Sequence, residues 1–296
     1  MARNKGNAGK RLGDRREGRQ LRSLSPALNL GPYIMRRRSD ACDSYADSIE
    51  ISALEQWLLD KRSEGSAAMN FTHLMVAAYV RTVSMRPGIN RFVAARHIFA
   101  RNDIQVVLRI RKGAGSGSAW TSVKVAFSPT DTIYDVYDRI NAVIDDVQAG
   151  TGESAFDRLA ASMTRLSRFF LRPYLLFLRI LDFFDFMPKK ILDASPYHGS
   201  LSVCDLGSLG VSCVDHHIYD FGDLPLYLSY GAKHHVYELD KEGNVQDRHM
   251  VDLHFTVDER IADASYLVEA LKCMKYFLKN PKLLELPPER VADDVN

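Results

Sequence analysis

Cysteine is scarce in this chain of 296 residues. The four thiols are Cys42, Cys204, Cys213 and Cys273, and no two stand in a C-x-x-C spacing. That excludes a zinc ribbon and a vicinal redox pair, and so few thiols do not make a disulfide scaffold. A reducing, cytoplasmic setting is expected. The first residues carry no apolar signal region. The most apolar region, Leu166 to Met187, is interrupted by Arg168, Arg172, Arg179, Asp182 and Asp185, and so is too charged to span a membrane. The formal net charge is only +2, so the molecule as a whole is not a polyanion binder.

What is present is ordinary globular material: 46% apolar and 26% charged residues, enough for one large domain or two small ones. The charge is uneven. Arg3, Lys5, Lys10, Arg11, Arg15, Arg16, Arg19 and Arg22 face only Asp14 and Glu17, with glycines between them. Residues 1–30 therefore read as a disordered basic tail, solvated rather than bound to nucleic acid or an anionic surface. Residues 289–296 read as an acidic tail.

Between the tails, residues 31–288 alternate helical and strand patterns. Ile49 to Ile51 reads as a short strand. Ser52 with Glu55 reads as a capping box opening a helix, and a second helix starts at Thr72. Gln105 to Ile110 and Trp120 to Phe127 read as strands joined by the flexible Gly113–Gly117 link. Apolar residues from Ile133 to Val147 recur at helical spacing, and Gly150-Thr151-Gly152 divides the chain. Leu166 to Met187, with a kink at Pro173, reads as a buried helix pair or a helix packed on another subunit. A membrane-surface helix is the alternative. Further strands are Ser200 to Val203, Leu226 to Tyr230 and a hairpin with Gly243-Asn244 at its tip. That hairpin returns as His249 to Val257, and a helix carrying Leu267, Leu271, Met274 and Leu278 closes the pattern.

The hairpin's return strand ends in a charged turn, Asp258-Glu259-Arg260-Ile261-Ala262-Asp263-Ala264. Charges there suit solvation and helix capping. The turn also resembles the D-H-R-x-x-D-G signature of the catalytic domain of 2-oxoacid dehydrogenase acyltransferases, which share the chloramphenicol acetyltransferase fold. Glu259 stands where the family has its catalytic His, and Ala264 where it has Gly. Three more landmarks follow the family's order: Arg86-Pro87-Gly88-Ile89-Asn90, Cys204-Asp205-Leu206-Gly207-Ser208-Leu209-Gly210, and the closing Asn280-Pro281. The resemblance implies a mixed α/β sheet flanked by helices in two layers, and a homotrimer with active sites between subunits. It implies a coenzyme A-dependent acyltransferase standing alone, without a lipoyl domain, acting on a small-molecule or carrier-borne acceptor. The alternative is a non-catalytic trimeric scaffold or ligand-binding member of the fold.

By position the resemblance gives the base to Glu259 and the oxyanion donor to Cys204, with Ser202 and Ser208 as nearby hydroxyls. It gives the ordering ion pair to Asp263 and an arginine best matched by Arg38, with Arg37 also possible; Arg260 completes the frame. A thiol is a weak donor. An ordinary Glu near 4.3 facing a thiol near 8.5 leaves proton transfer uphill by roughly 6 kcal/mol. Burial would narrow this gap, and Arg260 would oppose that. His216 and His217 could reach the same channel and serve instead. The spacing of the histidines supports no particular metal ligand set, so no bound metal is expected. Peripheral membrane contact is a minor reading and specific nucleic-acid binding is not expected.

Overall fold

The computed structural model describes residues 11–112, 119–149 and 153–296. The Gly113–Gly117 link and the Gly150–Gly152 divider lie outside these, as do the first ten residues of the expected tail. The strands are β1 (Gly18–Gln20), β2 (Cys42–Glu50), β3 (Arg91–Ala94), β4 (His97–Arg101), β5 (Ile104–Arg111), β6 (Trp120–Phe127), β7 (Leu201–Asp205), β8 (Leu226–Tyr230), β9 (His234–Leu239) and β10 (Val245–Asp258). The helices are α1 (Pro26–Ile34), α2 (Ser52–Ser63), α3 (Phe71–Met85), α4 (Ile133–Ala149), α5 (Ala155–Thr164), α6 (Arg168–Phe183), α7 (Lys189–Ala194) and α8 (Ala264–Lys279).

Seven strands form the main sheet in the order β2-β10-β8-β7-β5-β6, with β9 paired to the first half of β10. The three central strands β5, β7 and β8 run parallel, and the flanking pairs are antiparallel. One face packs on helices. Val251, Leu253, Phe255 and Val257 of β10 alternate into a core shared with Leu54 of α2, Leu74 of α3, Ile140 of α4 and Met274 of α8. This is the expected two-layer mixed α/β architecture. β1, β4 and β3 make a small second sheet.

Several expectations need correction. The strand at Ile49 to Ile51 is the end of nine-residue β2, whose register with β10 runs from Glu50↔Met250 to Cys42↔Asp258. The Ser52 capping box does not form; Glu55 instead meets Lys233 and His249, the latter at 3.0 Å. The next helix starts one residue earlier than expected, at Phe71, and is capped by Asn70 with His73. Residues 11–30 of the basic segment are ordered. Its arginines find distant carboxylates: Arg15 meets Asp182 at 3.1 Å, and Arg16 N donates to Asp185 Oδ2 at 3.0 Å. Leu21 is buried, and β1 adds to β4. The acidic end is docked as well, because Arg91 grips Asp294 through two hydrogen bonds of 2.8 and 2.6 Å. The Phe-rich region is no buried helix pair: α6 runs on through Pro173, and only Leu178 of its residues is buried.

Candidate active site

β10 delivers Asp258 to the far end of the sheet. Its carboxylate, 1% exposed, receives Arg260 Nε at 2.8 Å and Arg260 Nη2 at 2.7 Å. The backbone N–H of Arg260 donates to the same group at 3.2 Å. Arg38 Nε lies 3.7 Å from the other carboxylate oxygen, and Arg38 also donates to the Leu224 carbonyl. Arg260 Nη1 donates to the Met35 carbonyl at 3.0 Å. Two buried guanidiniums thus share one buried carboxylate. Burial pushes Arg38 down from its usual value, and Asp258 pulls it back up.

Glu259 follows directly in a single 3-10 turn, Glu259–Ile261. Its carboxyl is half-buried and makes no hydrogen bond or ion pair among the described residues. Burial raises it above the ordinary carboxylate range, and the neighbouring Asp43 and Asp258 add to the rise. Arg260 opposes the rise, but its fork is engaged by Asp258. Asp263 does not pair with Arg38. It caps α8, accepting from Tyr266 N at 2.9 Å and Ser265 Oγ at 2.6 Å, and these bonds hold it below its usual range. The helix terminus claims Asp263, and Asp258 takes the ion-pairing place expected for it.

Cys204 lies at the end of β7 on the face away from the helices, since its neighbour Val203 points into the core. Burial pushes its thiol up, against Arg109. Residues 211–224 cross this face as an extended loop. It passes so close to the end of β8 that a Cβ on Gly231 would sit 2.6 Å from Cys213 N, and Ser229 Oγ donates to the Val214 carbonyl at 2.6 Å. The loop lays His216 beside Tyr227, their rings 5.9 Å apart, with Nε2 buried and unpartnered. Burial, then Arg109, lowers the His216 imidazole, which favours its neutral form. Asp215 Oδ1 accepts from Ser44 Oγ at 2.8 Å and lies 2.9 Å from His254 Nδ1. His217 turns to Tyr219 instead, with rings 4.6 Å apart.

Arg109 acts on both Cys204 and His216, and Glu259 is remote from them within one chain. In register, Cys204 opposes Ser229, which opposes His254. Glu259, just past the end of β10, is five residues beyond His254, roughly 17 Å of extended chain.

The carboxyl ends of β5, β7 and β8 also open into two adjoining clefts of about 410 and 450 Å³ that share Asn70, Thr72, Asp205 and Ser208. Arg109 and Arg111 line one, and Arg62 and Lys233 the other. Arg111 lies over the Trp120 ring at 5.1 Å. Clefts at the ends of parallel strands are common ligand sites. These basic residues were not singled out in the sequence; the turn after β7 was the available signal. One possible metal cluster, His235, Asp247 and His249, has ligand atoms within 4.8 Å of one another on the β9–β10 hairpin. Spacing hid it because cross-strand register, not sequence offset, sets His235 opposite His249. These groups already satisfy one another and Glu55: His235 bonds Asp247 at 2.9 Å and His249 bonds Glu55 at 3.0 Å.

No protein-family model matches the chain, and no curated protein matches it in sequence. Solved structures do match in fold. A protein described as a probable dihydrolipoamide acetyltransferase from Listeria monocytogenes is 14% identical, with a TM-score of 0.56 over 89% of this chain and 95% of that one. A chloramphenicol acetyltransferase is 12% identical, with a TM-score of 0.54 over 88% of this chain and 99% of that one. The cubic core of the pyruvate dehydrogenase multienzyme complex is 12% identical, with a TM-score of 0.52 over 88% and 89%. The chain therefore has the fold of the chloramphenicol and dihydrolipoamide acetyltransferases, at sequence distances where the fold is what is shared.

Proposed function

We propose that the protein is a coenzyme A-dependent acyltransferase in which Glu259 replaces the family's histidine as base. The observation that carries this reading is the state of Glu259. Its carboxyl is unpaired and raised by burial and two neighbouring acids, and the buried Arg38–Asp258–Arg260 clamp fixes the backbone beside it. A raised carboxylate narrows the roughly 6 kcal/mol gap to an ordinary thiol.

In this reading the active unit is a homotrimer. Glu259 of one subunit faces the Cys204 and His216 face of its neighbour, which accounts for their separation within one chain. Arg109 and Arg111 take the phosphates of coenzyme A at the strand-end cleft. Glu259 removes the proton of the attacking nucleophile, which adds to the thioester carbonyl. Cys204, with Ser202 beside it on the same face, donates to the oxyanion. Collapse expels the coenzyme A thiolate, which takes the proton back from Glu259. His216, neutral and with Nε2 unpartnered, is the second base available to this face.

A second reading, a ligand-binding member without turnover, is favoured by Cys204, whose thiol is a poor donor and is pushed up by burial. One experiment separates the two. The purified chain is offered a panel of acyl-coenzyme A donors and small acceptors, and released thiol and coenzyme A binding are both measured. Thiol release that falls at least about 100-fold in Glu259→Gln supports catalysis. Binding without release selects the second reading, and neither binding nor release overturns both.

A further inference from the structure

The apolar residues of α6 face outward. At about 100° per residue, the helix divides into three sectors. Leu178 is buried, and Leu171, Tyr174 and Leu181 beside it are half-buried, so this sector lies on the protein. Phe169, Leu176, Phe177, Ile180 and Phe184 occupy the opposite sector and are exposed, Phe169 by 82%. Phe186, in the turn that follows, is 71% exposed. Arg168, Arg172 and Arg179 fall within about 40° of one another, between the two sectors. Arg165 is exposed in the turn just before the helix.

Arg179 donates to the Asp220 carbonyl at 3.3 Å, and the rest of the ridge is uncompensated. Arg165, Arg168 and Arg172 make no hydrogen bond or ion pair among the described residues. The acids of this segment are engaged on its inner side, Asp182 by Arg15 and Asp185 by Arg16. Lys189 and Lys190 are exposed just beyond. A groove of about 550 Å³ between α5 and α6, lined by Leu159, Met163, Leu171 and Leu175 with Arg172 at its wall, carries the apolar surface inward.

We propose that α6 docks the protein onto an anionic lipid bilayer surface. The Phe and Leu sector enters the headgroup–acyl boundary, and the arginine ridge meets the lipid phosphates. No helix among the described residues is long and apolar enough to cross a membrane. At about 24 Å, the 16 residues of α6 suit a helix lying in the interface plane. A second copy docked antiparallel is a poorer occupant, because its face would set arginine ridge against arginine ridge.

The test is sedimentation of the full chain with vesicles of phosphatidylcholine, with and without phosphatidylserine. Binding is expected to the anionic vesicles and to weaken with added salt. Arg168→Gln with Arg172→Gln is expected to weaken it roughly 30-fold, taking about 1 kcal/mol per arginine. Phe169→Glu with Leu176→Glu and Ile180→Glu is expected to abolish it. All five side chains are solvent-facing, so unchanged thermal melts check that the fold persists. Equal sedimentation with both vesicle types, or binding unaffected by either variant, overturns the proposal. So does the absence of binding to either vesicle type, and an oligomer that dissociates in the triple variant then makes the surface a subunit contact.

Discussion

Asp258→Asn keeps the shape of the side chain and removes the charge that two guanidiniums share. The Asp258 carboxylate is 1% exposed and takes a bidentate fork from Arg260 at 2.7 and 2.8 Å, with Arg38 at 3.7 Å. Hydrogen bonds to charged groups are worth about 1.5–3 kcal/mol each. Asn retains one acceptor oxygen and turns the other contact into donor against donor. Arg260 is then left buried without its counter-charge and Arg38 keeps only the weaker field of Asp223, and breaking a buried pair from one side costs about 3–5 kcal/mol. Against a total stability of about 5–15 kcal/mol this is a large fraction. In urea, with a slope of about 3 kcal/mol per M, the midpoint is expected to fall by roughly 1–1.7 M with the slope unchanged. Asp258→Asn combined with Arg260→Met is expected to cost less than the sum of the singles, because the second change removes the orphaned charge. A loss below about 1 kcal/mol in Asp258→Asn would falsify the claim that this carboxylate holds the turn.

The remaining predictions concern chemistry and acid stability. Glu259→Gln is expected to lower acyl transfer at least about 100-fold while leaving the urea midpoint nearly unchanged. The raised carboxyl must lose its proton to act, so the wild-type rate should climb with pH through a value above the ordinary 4.3 or so, and a flat profile would refute the assignment. Arg109→Ala with Arg111→Ala is expected to raise the coenzyme A dissociation constant at least about tenfold, read by calorimetry; unchanged affinity removes these residues from the site. Burial holds His73 down to about 4, and its Nδ1 accepts from the Asn70 N–H at 3.1 Å, a bond that the neutral ring alone can make. Its contribution is therefore complete above the unfolded value near 6.5 and is lost as pH falls toward 4. Burial raises Asp223, but Arg101 at 2.8 Å and His198 outweigh it and hold it at about 2. Its contribution is lost over the next interval, as pH falls from about 4 to 2. Unfolding followed across pH should show two steps, and Asp223→Asn should flatten only the lower one.

The legible parts of the fold were those in which burial and sequence period agree. Trp120 to Phe127 and Leu226 to Tyr230 are strands with the limits their patterns indicate. β2 was under-read because Asp43, Ser44, Asp47 and Ser48 give it no apolar face; it is a strand through its ladder with β10 rather than through burial. The tail was misread because composition cannot show that Arg15 and Arg16 have carboxylates waiting nearly 170 residues away. At the candidate site, the sequence shows the charged turn, and the structure sets Arg38 beside its Asp258. The choice of Asp258 over Asp263 was not legible, because it turns on which carboxylate the start of α8 claims as its cap. The position of His216 and the basic cleft walls also needed the loop's path across the sheet.

β2 ends the main sheet, and among the described residues it pairs with β10 alone. Its outer rim offers backbone donors and acceptors to any extended chain of matching length. A two-fold copy docking antiparallel about Tyr45 would set Asp43 of one rim against Asp47 of the other, with Glu259 close by. Asp47 is already held by Lys275 at 2.6 and 2.7 Å, so such a seam would set Asp43 against an ion pair rather than a free acid, and its register would depend on a contact between β2 and α8.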